Sequence, residues 1–256
     1  MPLWEEKMNN AIITDETGTS FKVLDQLFEV VTSNYHQHKT TKDKIVVLKG
    51  ADMLRSYDAV FQKAPKKTLF EIGVFEGGST IFFALANPEL KIVGLDIRKP
   101  DEAVLRHLRD LKLEDRVKIY YETSQTDADA ISRILRDDFR DDEIGVVIDD
   151  ASHNYNLSRK TFELTFGHVA SGGYYCLEDW AWAHWGGAFQ TEQWIDQPAL
   201  TNLVFEISML LPSARPLIDE IRITPGVVQV LRGSRKIGSF SIDDLLRLRG
   251  KQLARI

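Results

Sequence analysis

Two strand-like runs of this chain end in paired acids. "VVIDDASH" closes on Asp149 and Asp150, with His153 following after two residues, and "YYCLEDW" closes on Glu178 and Asp179. Carboxylates gathered in one cleft repel one another unless they are protonated or share a cation. Oxygen-only ligation of this kind suits Mg²⁺, which keeps an octahedral shell and leaves positions for water or substrate. Such an ion lowers the pKa of a coordinated hydroxyl, and His153 is the base that would take its proton. The same residues have plainer uses, with Asp149 or Asp150 as a helix N-cap and His153 as a packed polar side chain. Two acidic strand ends on one side favour the metal.

A second group of residues belongs to a small ligand. "FEIGVFEGGST" sets Glu71, Gly73, Gly77, Gly78 and Ser79 between a strand and the next helix, where missing side chains let backbone approach a ligand. "IVGLDIR" ends the following strand on Asp96, positioned to accept hydrogen bonds from ribose hydroxyls. Dinucleotide spacing fails, because Phe75 stands where a second glycine is required and Glu76 would repel a pyrophosphate. A ribose without phosphates fits better, and S-adenosylmethionine is such a cofactor, with Glu71 near its ammonium or nearby solvent. The alternative is a tight strand-to-helix turn with an incidental acid. Farther on, Ser124, Gln125, Thr126 and Asp127 in "ETSQTDADA" offer groups for an adenine edge, or simply a cap for the next helix.

The stretch "LEDWAWAHWGG" adds Trp180, Trp182, His184 and Trp185 directly after the second acidic pair. Trp rings cover the flat C–H faces of a sugar while a metal grips its hydroxyls. These rings are therefore expected to form an acceptor pocket or its lid, hinged at Gly186 and Gly187. For each ring, core filling is the competing use. His184 is a candidate auxiliary in proton transfer, with His153 better placed.

The elements that must hold these residues are short apolar runs alternating with helical stretches. "TLFEIGV", "KIVGLDI", "VKIYYET", "IGVVIDD" and "GGYYCLED" read as strands of a parallel sheet covered on both faces. Helices are expected near residues 54–61, 104–111, 131–135 and 157–164. "IDEIRITPGVVQVLRGS" reads as an antiparallel hairpin around a Pro-Gly turn. Before the sheet, Phe21, Leu24, Leu27, Phe28 and Val31 recur at helical spacing, predicting a helical lead-in over residues 1–50. After it, "SIDDLLRLRGKQLARI" predicts a basic amphipathic helix for a surface or subunit contact.

Bulk properties narrow the classes. The 256 residues suffice for one globular domain, and a net charge of -6 argues against a nucleic-acid partner. No run of about eighteen apolar residues is present to span a bilayer, and the opening residues lack a secretory pattern, so a cytoplasmic location without membrane attachment is expected. Cys176 is the single cysteine, excluding an internal disulfide. None of the six histidines is followed two positions later by an acid, which argues against the facial triad of a non-haem iron oxygenase.

Taken in order, "FEIGVFEGGST", "GLDI", "SQTD", "DDASH" and "LEDW" resemble the Mg²⁺-dependent sugar O-methyltransferases of macrolide pathways, the rhamnosyl O-methyltransferases and the cephalosporin hydroxylase-like family. The resemblance spans about residues 66 to 182. It implies a Rossmann-like, class I methyltransferase α/β fold over residues 51–256, with a mostly parallel seven-stranded sheet, an antiparallel C-terminal hairpin strand and helices on both faces. It further implies Asp150, Glu178 and Asp179 as Mg²⁺ ligands, His153 as general base and Asp149 beside the methyl-bearing end of S-adenosylmethionine. The glycine loop, Asp96 and the Gln125 region would hold the rest of that cofactor. A sugar or glycoside acceptor and a homo-oligomer are expected. A catechol or polyphenol acceptor, or a non-catalytic use of the fold, are the alternatives.

Overall fold

A computed structural model describes residues 13–14, 19–139, 144–191 and 195–256. Where a helical lead-in is expected, the chain forms strands: β1 (Ile13–Thr14), β2 (Ser20–Val23), β3 (Gln26–Val30) and β4 (Ile45–Val47), joined in that order in a small sheet. The helical spacing is a coincidence of two strands joined by a two-residue turn. Phe21 pairs with Phe28 across the hairpin, their rings stacked at 5.0 Å, whereas Leu24 sits in the turn at φ 53° with 66% of its surface exposed. Residues 1–12 and 15–18 of the expected lead-in lie outside the described residues.

The alternating pattern that follows folds as read. Helix α1 (Ala51–Lys63) leads into β5 (Thr68–Ile72), α2 (Gly78–Ala86), β6 (Lys91–Leu95), α3 (Glu102–Asp110), β7 (Val117–Tyr120), α4 (Ala128–Ile134), β8 (Ile144–Asp149), α5 (Tyr155–Thr165) and β9 (Val169–Glu178). These five strands are mutually parallel. An unanticipated helix, α6 (Thr201–Ser213), precedes the antiparallel hairpin of β10 (Ile218–Ile223) and β11 (Val227–Arg232). The hairpin completes a seven-stranded sheet in the order β10-β11-β9-β8-β5-β6-β7. One face packs on α4, α5 and α6, the other on α1, α2, α3 and the N-terminal sheet. Every residue of β8 is buried, as a central parallel strand covered on both faces requires.

The tail departs from expectation. Only α7 (Ile242–Leu245) is helical, and the chain then runs on without regular structure, ending with Ile256 bonded to Ala199 and Asn202. A helix this short is marginal unless tertiary packing supports it. The expected terminal contact helix is thus confined to this one turn. Among the described residues, no helix is long and apolar enough to cross a membrane.

The N-terminal sheet is locked to the main fold where α2 begins. A methyl group at Gly78 would lie 2.2 Å from the Val46 carbonyl oxygen. Gly78→Ala is therefore expected to lose more than about 2 kcal/mol of stability, read as a lower urea midpoint at unchanged slope.

Candidate active site

Strand register sets the site. Leu95, Ile72, Asp149 and Leu177 form one row across β6, β5, β8 and β9. Asp96, Gly73, Asp150 and Glu178 each stand one residue beyond it. The chain runs outward from β5 through β6 to β7, then returns to the other side of β5 as β8. That reversal opens a crevice at the carboxyl ends of β5 and β8, the usual ligand position in open α/β sheets. The two ends are tied by the Asp150 N–H donating to the Ile72 carbonyl at 2.9 Å.

Alternation along each strand decides which acids meet. Asp149 shares the α5 face with Tyr175, whose hydroxyl donates to it at 2.7 Å. Burial pushes the Asp149 carboxyl up to about 6, against the Tyr175 hydrogen bond. Beyond the strand ends, Asp150, His153 and Asp179 offer ligand atoms that lie within 4.8 Å of one another. His153 Nε2 is 3.7 Å from both Asp150 Oδ1 and Asp179 Oδ2. Burial raises the Asp179 carboxyl, with His153 opposing and Asp150 adding to the rise.

Backbone strain accompanies this convergence. His153 and Asp179 adopt φ of 51° and 50°, a left-handed conformation costing about 1–3 kcal/mol for each such residue. Hydrogen bonds hold both in place. The Trp182 indole N–H donates to the His153 carbonyl at 2.9 Å, and the Asp179 N–H to the Gly226 carbonyl at 3.0 Å.

Glu178 faces the other way. Its parity matches Cys176, on the α1 face, where it accepts a 2.6 Å hydrogen bond from the Tyr57 hydroxyl and an ion pair from Lys49 at 3.1 Å. Lys49 also bonds Asp150 Oδ2. Burial and the Asp150 carboxylate raise the Glu178 carboxyl, opposed by Lys49 and Tyr57. Burial works to lower the Lys49 ammonium, yet Asp150, Glu178 and Glu71 hold its pKa above the ordinary value. Sequence reasoning missed Lys49 and Tyr57, because one follows an apolar run and the other reads as helix core.

Protein packing constrains the glycine loop. A methyl group at Gly73, whose φ is 94°, would lie 2.2 Å from the Asp150 carbonyl oxygen, and at Gly77 2.7 Å from Val104. Glycine is thus what lets β5 end directly against the acid cluster. Glu71 is buried and accepts from the hydroxyls of Ser79 and Thr80; burial raises its carboxyl, opposed by Lys49 and those hydroxyls. Asp96 accepts from the Val74 and Phe75 amides at 3.0 and 2.7 Å and from the Arg98 amide at 2.8 Å. It therefore organises the loop beside the ribose position expected of it. Glu76 leaves the loop to meet Lys39, Thr40 and Arg98.

Of the "SQTD" residues, Asp127 caps α4 by accepting from the Ala130 amide, Ser124 bonds Thr126, and the Gln125 amide donates to Thr161. The tryptophans divide. Trp182 is buried in the core beneath His153, and Trp180 is partly buried with its indole N–H on the Thr224 carbonyl. Trp185 is exposed and meets Phe189 edge-on. His184 pairs with the Thr201 hydroxyl at 2.8 Å.

The donors fit a hard divalent cation and a cationic small molecule. Asp150 and Asp179 present the carboxylate oxygens that Mg²⁺ favours, beside an imidazole able to accept a proton. Asp149 Oδ1 and the Ser158 hydroxyl are buried without a hydrogen-bond partner among the described residues, although the hydroxyl lies near enough to favour the charged carboxyl. A polar or positive group can use that oxygen.

The chain is similar to known proteins over the part that holds these residues. Residues 70–180 match the family described as a methyltransferase domain. A mycinamicin VI 2''-O-methyltransferase of Micromonospora griseorubida is 32% identical over 126 residues, 46% of this chain and 28% of its own. A tRNA (guanine-N(7)-)-methyltransferase of Stutzerimonas stutzeri (strain A1501) is 40% identical over 74 residues, 28% of this chain and 30% of its own. The solved MycE methyltransferase from the mycinamycin biosynthetic pathway, in complex with Mg and SAH, has a TM-score of 0.52 at 27% identity, covering 70% of this chain and 49% of its own. This chain spans half or less of the length of each relative. The acid cluster, the glycine loop and the crevice between them lie within residues 70–180, the stretch that matches that family.

Proposed function

We propose that this chain is an S-adenosylmethionine-dependent, Mg²⁺-assisted O-methyltransferase acting on a hydroxyl of a sugar or glycosylated metabolite. The convergence of Asp150, His153 and Asp179 beside the glycine loop carries the reading. The relatives support it: one is named for 2''-O-methylation of mycinamicin VI, and the MycE structure is described with Mg and SAH. The tRNA methyltransferase match is confined to 74 residues, and the net charge of -6 favours a small acceptor over a polyanion.

When bound, the sulfonium supplies the methyl group and the divalent ion supplies charge that acidifies a coordinated hydroxyl. Asp150 and Asp179 would hold the ion, and Glu178, which is bonded to Lys49 and Tyr57 on the α1 face, would join them only by leaving Lys49. Asp149, Glu71, Asp96 and the Ser124 to Asp127 loop would surround the cofactor. His153 Nε2 stands beside both metal-facing acids, and takes the acceptor proton there. Trp182 keeps that imidazole aimed by holding its backbone, while Trp180 and Trp185 border the acceptor side. Presented with glycosides and catechols together, the protein is expected to methylate glycosides. Labelling of catechols alone would replace the sugar acceptor with an aromatic one.

A further inference from the structure

Lys49 holds neither ion nor cofactor in the scheme above, yet it is 5% exposed and surrounded by acids. It lies between β4 and α1, in a position fixed by the close packing of Gly78 on Val46. Its ammonium bonds Asp150 Oδ2 and lies 3.1 Å from Glu178 Oε2. One Asp150 oxygen therefore faces Lys49 while the other faces His153. A buried cation in contact with two carboxylates neutralises the charge a divalent ion would use, and it repels that ion directly.

We propose that Lys49 is a resident counter-cation that competes with a divalent ion for Asp150 and Glu178. This rests on the reading of the acid cluster as a divalent-cation site. Lys49 keeps the carboxylates together when no ion is bound, and divalent binding draws Glu178 away from it. The lysine thereby weakens metal affinity and makes occupancy depend on the free ion concentration.

The test is Mn²⁺ binding, followed by electron paramagnetic resonance, in wild type, Lys49→Met and Lys49→Arg. Lys49→Met is expected to bind Mn²⁺ at least tenfold tighter than wild type, and Lys49→Arg, which keeps the charge, within about threefold of it. Equal or weaker binding by Lys49→Met, or equal tightening in Lys49→Arg, overturns the proposal and leaves the metal site standing. Absence of Mn²⁺ binding in all three proteins removes the metal reading and this inference together. Should Lys49→Met not fold alone, because two acids lose their partner, recovery of a cooperative melt on adding Mn²⁺ supports the competition. Failure to recover contradicts it.

Discussion

Asp150→Ala is expected to lower metal-dependent methyl transfer by at least about 10²–10³-fold, a loss on the scale of removing one preorganised electrostatic contact from a transition state. Binding of S-adenosylmethionine should stay within a few-fold of wild type. Asp150 is the junction of the site, with one oxygen on Lys49 and the other 3.7 Å from His153. Its backbone, rather than its carboxylate, meets the glycine loop, through the Ile72 carbonyl and the space at Gly73. Truncating the side chain thus removes the oxygen proposed to hold the metal without removing the loop's support. Initial rates with Mg²⁺, set beside calorimetry of cofactor binding, separate the two effects. Full turnover in the variant would remove Asp150 from the metal set.

His153→Gln should reduce kcat by about 10²–10⁴-fold, the usual scale of a lost general base, with acceptor KM changed only a few-fold. The residue is held at φ 51° with its carbonyl fixed by Trp182 and its ring between two carboxylates. For the proposed base, that arrangement fixes the ring's position and adds little grip on the acceptor. Trp182→Phe keeps the ring's bulk but loses the indole hydrogen bond. A milder fall in kcat, about tenfold, is expected from the relaxed imidazole, with the melting temperature nearly retained. An unchanged kcat in His153→Gln would assign the proton to another group.

The parallel strands and the acids at their ends were legible because each apolar run is short, bounded by polar residues, and closes on the residue that the register carries to the crevice. The hairpin of β10 and β11 was legible from its Pro-Gly turn. Residues 21–31 were not, since Phe21 and Phe28 lie seven apart whether stacked across a hairpin or aligned on a helix. Leu24, which falls on the helical stripe by spacing, lies in the exposed turn. In the site, the meeting of Asp150, His153 and Asp179 follows from two strand ends being neighbours. The turn of Glu178 toward Lys49 and Tyr57 depends on strand parity and on a segment far away in sequence. The tryptophans read as one pocket wall, yet Trp182 is drawn into the core where its N–H finds the His153 carbonyl.

The most direct test of the account is transfer of a labelled methyl group from S-adenosylmethionine to a glycoside panel, run with Mg²⁺ and again with a chelator. Labelling of a glycoside hydroxyl that the chelator abolishes and added Mg²⁺ restores is the predicted result. Transfer at the same rate in the presence of the chelator would contradict a metal held by Asp150 and Asp179.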